Sequence, residues 1–151
     1  PMAFGKPDNI QARQDMLHAS FLAGVGLVNA GVTAVHSLSY PLGGLFGIGH
    51  GIGNALLLPY VLQSTLPYTQ TEIEDIATEL IGKNTDAQFF IDTLKEFEKS
   101  LGIPSKLSEV NVPQSAIPQL VEGAMQVKVP LGNHPLPITD QDIIKIYQSA
   151  F

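Results

Sequence analysis

The sequence predicts an all-α fold, and three features predict it. Apolar residues recur at intervals of three and four along most of the 151-residue chain, residues that cap helices precede these segments, and glycine or proline follows them. An alternating pattern typical of a half-buried strand is weak everywhere except at Val127 to Val129. A chain of this length can form one hydrophobic core, so we expect a single helical domain over residues 1–151.

The first half of the chain predicts two helices and a loop. Asp8 or Asn9 is expected to cap a helix that ends at Asn29 or Ala30. A second helix is expected from about Thr33 to Ser39 and should end at Tyr40, because Pro41 disfavours the helical conformation in the residue before it. The segment from Gly43 to Gly53 contains six glycines and predicts a flexible, apolar loop.

The second half predicts a series of amphipathic helices. Helix returns at Ile52 or Gly53 and should kink or stop at Pro59. Thr69 or Thr71 begins the next helix, Thr85 and Asp86 begin another that ends at Gly102, and residues 114–126 and 140–150 form the last two. Thr139 is the expected cap of the final helix, with Asp142 at its third position. The side chains expected on the buried faces of the two middle helices are Ile73, Ile76, Ala77, Leu80 and Ile81, and then Phe89, Phe90, Leu94, Phe97 and Leu101.

Composition excludes several classes of function. The chain has no cysteine, which excludes disulfides, zinc ribbons, iron–sulfur clusters and cysteine nucleophiles. Fourteen acidic residues against eight basic ones give a net charge of -6, which argues against binding to nucleic acid or to an anionic membrane surface. No secretory signal begins the sequence, so we expect a cytoplasmic protein.

The segment from Met16 to Thr71 contains no Asp, Glu, Lys or Arg. Within it, residues 19–35 form a 17-residue uncharged stretch, which is at the lower limit for crossing a bilayer. A membrane helix is therefore one alternative, and a buried central layer of a helical domain is the other. Asn29 within the stretch, histidines instead of Lys or Arg at its flanks, and the absence of Trp favour the buried layer.

Histidine is the only side chain in this uncharged segment that titrates near neutral pH. His36 and His50 lie fourteen residues apart and can converge on one point, where imidazole would bind Zn²⁺, Fe²⁺ or Ni²⁺. The spacing equally allows histidines that bond to backbone carbonyls. A four-ligand site that adds Asp15 and His18 is formally possible, because these two residues lie on one helix face. His134 is expected to be a solvated loop residue.

Other catalytic arrangements find no support. Ser20 and Ser37 have no acidic residue nearby, which argues against a hydrolytic triad. No lysine follows the glycines at 43–53 in the position that a phosphate-binding loop requires.

The residues around the two histidines carry a family resemblance. The run NAGVTAVHSLSYPLGG at 29–44, followed by LFGIGHGIGNALLLP at 45–59, resembles the signature of the iron-containing (group III) alcohol dehydrogenases. Three further segments resemble other motifs of that family: MLHASFLAG at 16–24, LGIPSKLSEV at 101–110, and the tail at 135–151.

The resemblance implies the later part of that family's C-terminal all-helical domain, of the dehydroquinate synthase-like type, truncated on its N-terminal side and without the nucleotide-binding domain. It implies NAD(P)-dependent interconversion of alcohols and aldehydes at an iron(II) or zinc ion held by one Asp and three His. Two of those ligands match His36 and His50, and the other two have no match. Tyr40 matches a position near the substrate. No catalytic residue and no cofactor-binding residue is assigned.

Two functions are therefore expected. The chain is either the metal-binding helical domain of an NAD(P)-dependent oxidoreductase, inactive alone, or a non-catalytic helical module for oligomerisation or interaction. The expected partner is a second copy of the chain or a nucleotide-binding domain, and neither nucleic acid nor a membrane is expected to bind.

Overall fold

The computed structural model of the protein describes residues 1–82 and 85–151, and it confirms the all-α prediction for these ranges. The helices are α1 Met2–Gly5, α2 Ile10–Ala30, α3 Ala34–Phe46, α4 His50–Leu80, α5 Ala87–Ser100, α6 Ile117–Gln126, α7 Lys128–Gly132 and α8 Asp140–Ser149, with short 3₁₀ helices at Leu107–Val110 and Gln114–Ala116. The described residues form two compact units, residues 1–32 and 33–151.

The first unit consists of α1 and the long helix α2. Asn9 caps α2 as predicted, since its side chain accepts a hydrogen bond from the Ala12 amide at 3.0 Å. The uncharged residues of α2 do not form a buried layer, because Ala12 alone is buried and Phe21 and Val28 are 66% and 81% exposed. This part of the buried-layer prediction is wrong: α1, the only other helix of the unit, has four residues and cannot cover α2.

The second unit is built around α3. This helix packs against α4, α6 and α7, while α4 also contacts α5 and α8. Its core holds the fully buried Leu38, Leu42, Leu57 and Tyr147. The Tyr147 hydroxyl donates to the Leu38 carbonyl at 2.7 Å. The polar end of this large buried side chain is therefore hydrogen-bonded to the backbone of α3.

Helix α3 continues through Pro41 to Phe46, so the predicted end at Tyr40 is wrong. Pro41 is buried against Gly123 of α6, where a Cβ added to Gly123 would lie 2.9 Å from the Pro41 Cβ. This close tertiary contact favours the helical position of Pro41 over the local preference to end there. The predicted loop at 43–53 shrinks to residues 47–49, with Gly47 in the left-handed region at φ 68°, and α4 begins at His50.

The sequence predicts a kink or a stop at Pro59, but helix α4 does not end there, and it also contains Pro67. Its backbone leaves helical geometry at Thr69, where φ is -126° and ψ is 23°, close to the predicted start of a new helix. Further along, Asp86 caps α5 as predicted and accepts from the Phe89 amide at 2.7 Å.

The predicted buried faces of these helices are partly wrong. In α5, Phe89 and Phe97 are 54% and 43% exposed, whereas Ile91 and Glu98 are buried. In the second half of α4, Ile73 and Ala77 are buried as expected. The exposed members of the predicted set are Ile76, Leu80 and Ile81.

The C-terminal helices follow the prediction closely. Thr139 and Asp142 form the capping box of α8, with each side chain bonding to the other residue's backbone N–H. Residues 127–129, where a strand was weakly indicated, run into the short helix α7. In the described ranges, no single helix is long and apolar enough to cross a membrane, and only α2 and α3 taken together satisfy that test of length and composition.

Candidate functional site

The hairpin of α3 and α4 brings the two predicted metal ligands together. His36 and Tyr40 lie one helical turn apart on α3, and His50 and Asn54 lie one turn apart at the start of α4. The three-residue loop between the helices turns the chain, so both pairs face the same point. His50 is exposed and His36 is partly buried, which leaves the site open on one side.

Three polar atoms meet at the centre of this site. The His50 Nε2 atom lies 3.2 Å from the His36 Nδ1 atom. The side-chain nitrogen of Asn54, Nδ2, lies 2.9 Å from His50 Nε2 and 3.5 Å from His36 Nδ1. The two imidazole ring centroids are 5.1 Å apart. The structure thus brings together a histidine pair and an amide that sequence reasoning did not assign a role.

Ser39 orients the ring of His50 from behind. Its hydroxyl donates to the His36 carbonyl oxygen at 3.0 Å, and the hydroxyl oxygen lies 3.5 Å from His50 Nδ1, where it can accept from the tautomer that carries its proton on Nδ1. With the proton on Nδ1, the Nε2 lone pair of His50 points toward His36. This arrangement is the usual way in which a second hydrogen bond fixes the tautomer of a metal-binding histidine.

The environment also keeps His36 neutral. Burial lowers the pKa of His36 below its ordinary value, and the neighbouring His50 lowers it further. A neutral imidazole has a free lone pair at pH 7, and a lone pair is what a metal ligand requires.

Tyr40, the predicted substrate-binding residue, stands beside His50. The centroid of its ring is 5.2 Å from that of His50, and the side chain is 50% exposed. Tyr40 therefore flanks the open side of the site. Its contact with a substrate remains a prediction.

The spacing of the histidine pair is compatible with a shared metal ion and also with a hydrogen bond between the two rings. Two nitrogens that bind one ion at about 2.1 Å and at a tetrahedral angle lie about 3.4 Å apart, and the observed separation is 3.2 Å. The described residues contain no group of three or more His, Asp or Glu side chains that could hold a metal ion. His36 and His50 thus fit as two ligands of an incomplete set, and their role as ligands remains a prediction.

The other candidates from the sequence lie elsewhere. Asp15 and His18 are exposed on α2 in the first unit. The buried hydroxyl of Ser37 donates to the Val127 carbonyl at 2.9 Å, which is a structural role. His134 is not the solvated residue that the sequence suggests: its Nδ1 is buried without a hydrogen-bond partner, and burial lowers its pKa.

Sequence reasoning missed the roles of Asn54 and Ser39. A signal existed for Asn54, because it follows His50 by four residues and a helix starting at His50 places both on one face. The shared helix face of His50 and Asn54 was missed because the sequence predicts a glycine-rich loop up to Gly53. Ser39 carried no comparable signal, since its effect on His50 depends on how the two helices pack.

Comparison with known proteins identifies the family of the chain. The pattern of the Fe-containing alcohol dehydrogenase family, C-terminal, matches residues 1–151. Long-chain-alcohol dehydrogenase 1 of Geobacillus thermodenitrificans is 41% identical over 147 residues, which cover 93% of this chain and 37% of that protein. NAD-dependent methanol dehydrogenase of Bacillus methanolicus is 33% identical, and the match covers 99% of this chain and 41% of that protein.

Solved structures agree with the fold. A crystal structure of 1,3-propanediol oxidoreductase has a TM-score of 0.88 and 32% identity, with 99% of this chain and 41% of that chain covered. The alcohol dehydrogenase from Oenococcus oeni has a TM-score of 0.84 and 30% identity, with 99% and 40% covered. The chain thus spans about 40% of the length of these relatives. It belongs to the Fe-containing alcohol dehydrogenase family and corresponds to the C-terminal helical domain of that family.

Proposed function

We propose that this chain supplies part of the divalent-metal site of an NAD(P)-dependent alcohol–aldehyde oxidoreductase, with His36 and His50 as metal ligands. The observation that carries the proposal is the 3.2 Å separation between His50 Nε2 and His36 Nδ1 at an open face of the α3–α4 hairpin. Membership of a family named for iron supports the choice of a divalent metal.

The residues of this chain have distinct tasks in the proposed site. Ser39 holds His50 in the tautomer that directs Nε2 inward, and burial keeps His36 neutral. Tyr40, half-exposed beside His50, borders the side from which a substrate alcohol would approach. When bound, the metal ion would supply Lewis acidity toward the substrate oxygen.

NAD(P) binding is proposed to come from another domain or another chain. The 151 residues contain no glycine-rich pyrophosphate motif that follows a strand, and the described ranges have no sheet on which such a motif could lie. The relative from Bacillus methanolicus is named an NAD-dependent enzyme, which supports NAD(P) as the hydride carrier. We propose that the chain alone, even with metal, does not transfer hydride from alcohols to NAD(P).

Metal titration by calorimetry tests the histidine pair. Zn²⁺, and Fe²⁺ under anaerobic conditions, should bind the intact chain, and His36→Ala or His50→Ala should each weaken binding by about tenfold or more. His18→Ala is the matched control, because it removes an exposed histidine on α2 and should leave the affinity unchanged. Weak binding by the wild type, or binding indifferent to both substitutions, would overturn the proposal.

A second function, self-association through α2, is favoured by a different observation. Large apolar side chains on this helix are exposed around most of its circumference, including Leu17 at 73% and Phe21 at 66%. No charged residue lies between Met16 and Ala30 to oppose contact between two copies. We propose a homo-oligomer that covers α2, since a helix that is apolar on all sides is ordinarily buried. Light scattering tests it, and a clean monomer would count against it.

A further inference from the structure

A cleft between α4 and α5 contains an acidic side chain that the proposed function does not use. The cleft has a volume of about 210 Å³, and its lining residues come from α4, α5 and the segment 103–105. Glu98 of α5 is one of them, although only 9% of its surface is exposed. The cleft shares no residue with the histidine site.

The Glu98 carboxyl group has no partner among the residues that the structure describes. No described group donates a hydrogen bond to it, and the one ion pair of the described ranges joins Lys95 to Asp92 at 3.9 Å. Buried carboxyl groups are ordinarily hydrogen-bonded or paired with a positive charge. Neither oxygen of Glu98 is fully enclosed by protein, so a molecule in the cleft can reach this carboxyl group and become its partner.

The charges around Glu98 favour a cation as that partner. The other titratable residues that line the cleft are Tyr60, Lys95, Glu96 and Lys99. Burial raises the pKa of Glu98 to about 7, and no positive charge of the two lysines opposes this rise. Their ammonium groups are therefore too far away to stabilise the carboxylate, and for the same reason they repel a cation beside it only weakly.

Tyr60 provides a neutral aromatic surface at the cleft. Burial, together with the charges of Glu109 and Glu98, raises the pKa of Tyr60, so its phenol keeps its proton at neutral pH. The Nζ atom of Lys95 lies 5.7 Å from the centroid of the Tyr60 ring. This contact shows that an ammonium group fits against the ring, whose face attracts cations.

The remaining walls and the volume suit a short alkyl chain. The apolar residues of the cleft are Leu56, Pro59, Ile103 and Pro104. A water molecule takes about 30 Å³, so the cleft holds a molecule of about five to seven non-hydrogen atoms. That size corresponds to an amine with a chain of about four to six carbons.

We propose that the cleft between α4 and α5 binds a short primary alkylammonium ion, with its ammonium group on the Glu98 carboxylate and its alkyl chain against Leu56 and Ile103. The ammonium hydrogens donate to the carboxylate oxygens. Where Glu98 is protonated beforehand, its proton passes to the solvent as the ligand binds. The inference does not depend on the metal ligands proposed above.

The test is a titration of the full chain with n-butylammonium, followed by the NMR signal of the Glu98 side-chain carboxyl carbon. Because only ionised Glu98 binds the ligand, the affinity should fall about tenfold for each pH unit below 7 and should level off above pH 8. The ligand should also lower the apparent pKa of Glu98, by about one unit at ten times its dissociation constant. The amine itself stays charged over this range, as lysine does.

Two variants locate the site. Glu98→Gln keeps the size of the side chain but removes its charge, and it should weaken binding by about tenfold or more at pH 8. Glu96→Gln is the matched control, because it removes an exposed charge of the same helix and should leave the affinity unchanged. Equal affinities in the two variants would contradict the inference.

Two further ligands distinguish the chemistry of the occupant. If n-butanol binds as tightly as n-butylammonium at every pH, the cleft recognises only the alkyl chain, and the inference is wrong. If butyrate binds instead, and more tightly below pH 7, protonated Glu98 recognises an anion, which also overturns it. The inference fails as well if n-butylammonium does not bind, or if Glu98 of the free chain titrates at its ordinary value of 4.5 or below.

Discussion

At the residue scale, Glu98 is a buried acidic side chain. It lies on α5, is only 9% exposed, and borders a cleft of about 210 Å³ between α4, α5 and residues 103–105. Lys95, Lys99 and Glu96 of its own helix and Tyr60 of α4 line the same cleft. Burial nevertheless raises the pKa of Glu98 from 4.5 to about 7, because removal from water disfavours the charged form.

This shift predicts a pH dependence of stability. The folded state retains a proton on Glu98 between pH 4.5 and about 7, where the unfolded state releases it. The free energy of unfolding should therefore fall as pH rises through this window, by at most on the order of 3 kcal/mol. Chemical denaturation at pH 5 and pH 8 measures this difference in the wild type and in Glu98→Gln, which should be less sensitive to pH and more stable at pH 8.

Glu96→Gln is the matched control, because Glu96 is exposed on the same helix. It should keep the pH profile of the wild type. If the stability of Glu98→Gln depends on pH as that of the wild type does, Glu98 ionises in the folded protein without loss of stability.

The proposed metal ligands show how far sequence reasoning reaches at this scale. The sequence predicted that His36 and His50 can converge, because few residue types bind metals and their surroundings resemble a known signature. Their convergence to 3.2 Å is observed in the structure. The contact of Asn54 with both histidines was not predicted, because it depends on α4 beginning at His50.

At the scale of secondary-structure elements, the residues at which helices begin could be predicted from the sequence. The passage of helices through prolines could not. Asn9, Asp86 and Thr139 cap their helices through bonds to residues three positions away, so a short stretch of sequence contains the whole cause. Pro41 and Pro59 both lie inside helices and are buried, and Pro41 packs against Gly123 of the distant helix α6. A local sequence pattern contains no information on such tertiary packing. The packing outweighs the local preference of proline to end a helix.

The close contact between Pro41 of α3 and Gly123 of α6 leads to a prediction about protein stability. A methyl group there would lie 2.9 Å from the Cβ of Pro41, in a ring that has little freedom to move. Gly123→Ala should lower the free energy of unfolding by about 1–2 kcal/mol, because overpacking outweighs the gain in helix propensity. Chemical denaturation measures the change, with Gly44→Ala as the control.

Gly44 is also a helical glycine, on α3, but nothing lies within 4 Å of an added Cβ. Its replacement by alanine should leave stability unchanged or raise it by up to about 1 kcal/mol. If Gly123→Ala is as well tolerated as Gly44→Ala, α3 and α6 can move apart at no cost in stability, and the explanation given for Pro41 is wrong.

At the scale of the whole molecule, the exposed surface of α2 makes a prediction about assembly. Placing charges on it with the double substitution Leu17→Glu and Phe21→Glu should convert the proposed homo-oligomer to a monomer, because two carboxylates would be desolvated in the interface. The matched control is Gln141→Glu with Gln148→Glu, which adds the same two charges at exposed polar positions of another helix, α8. Light scattering measures the mass, and equal masses for the two double variants would contradict this interface.

The short α3–α4 hairpin that contains both histidines has a consequence for the kinetics of folding. His36, Tyr40, His50 and Asn54 lie within nineteen consecutive residues, and the two histidines are separated by fourteen positions. Closing so short a segment loses less chain entropy than joining distant parts of a protein. Contacts of low sequence separation also tend to form fast. Assembly of the imidazole pair should therefore be an early event in folding, complete before the C-terminal helix α8 docks onto the core.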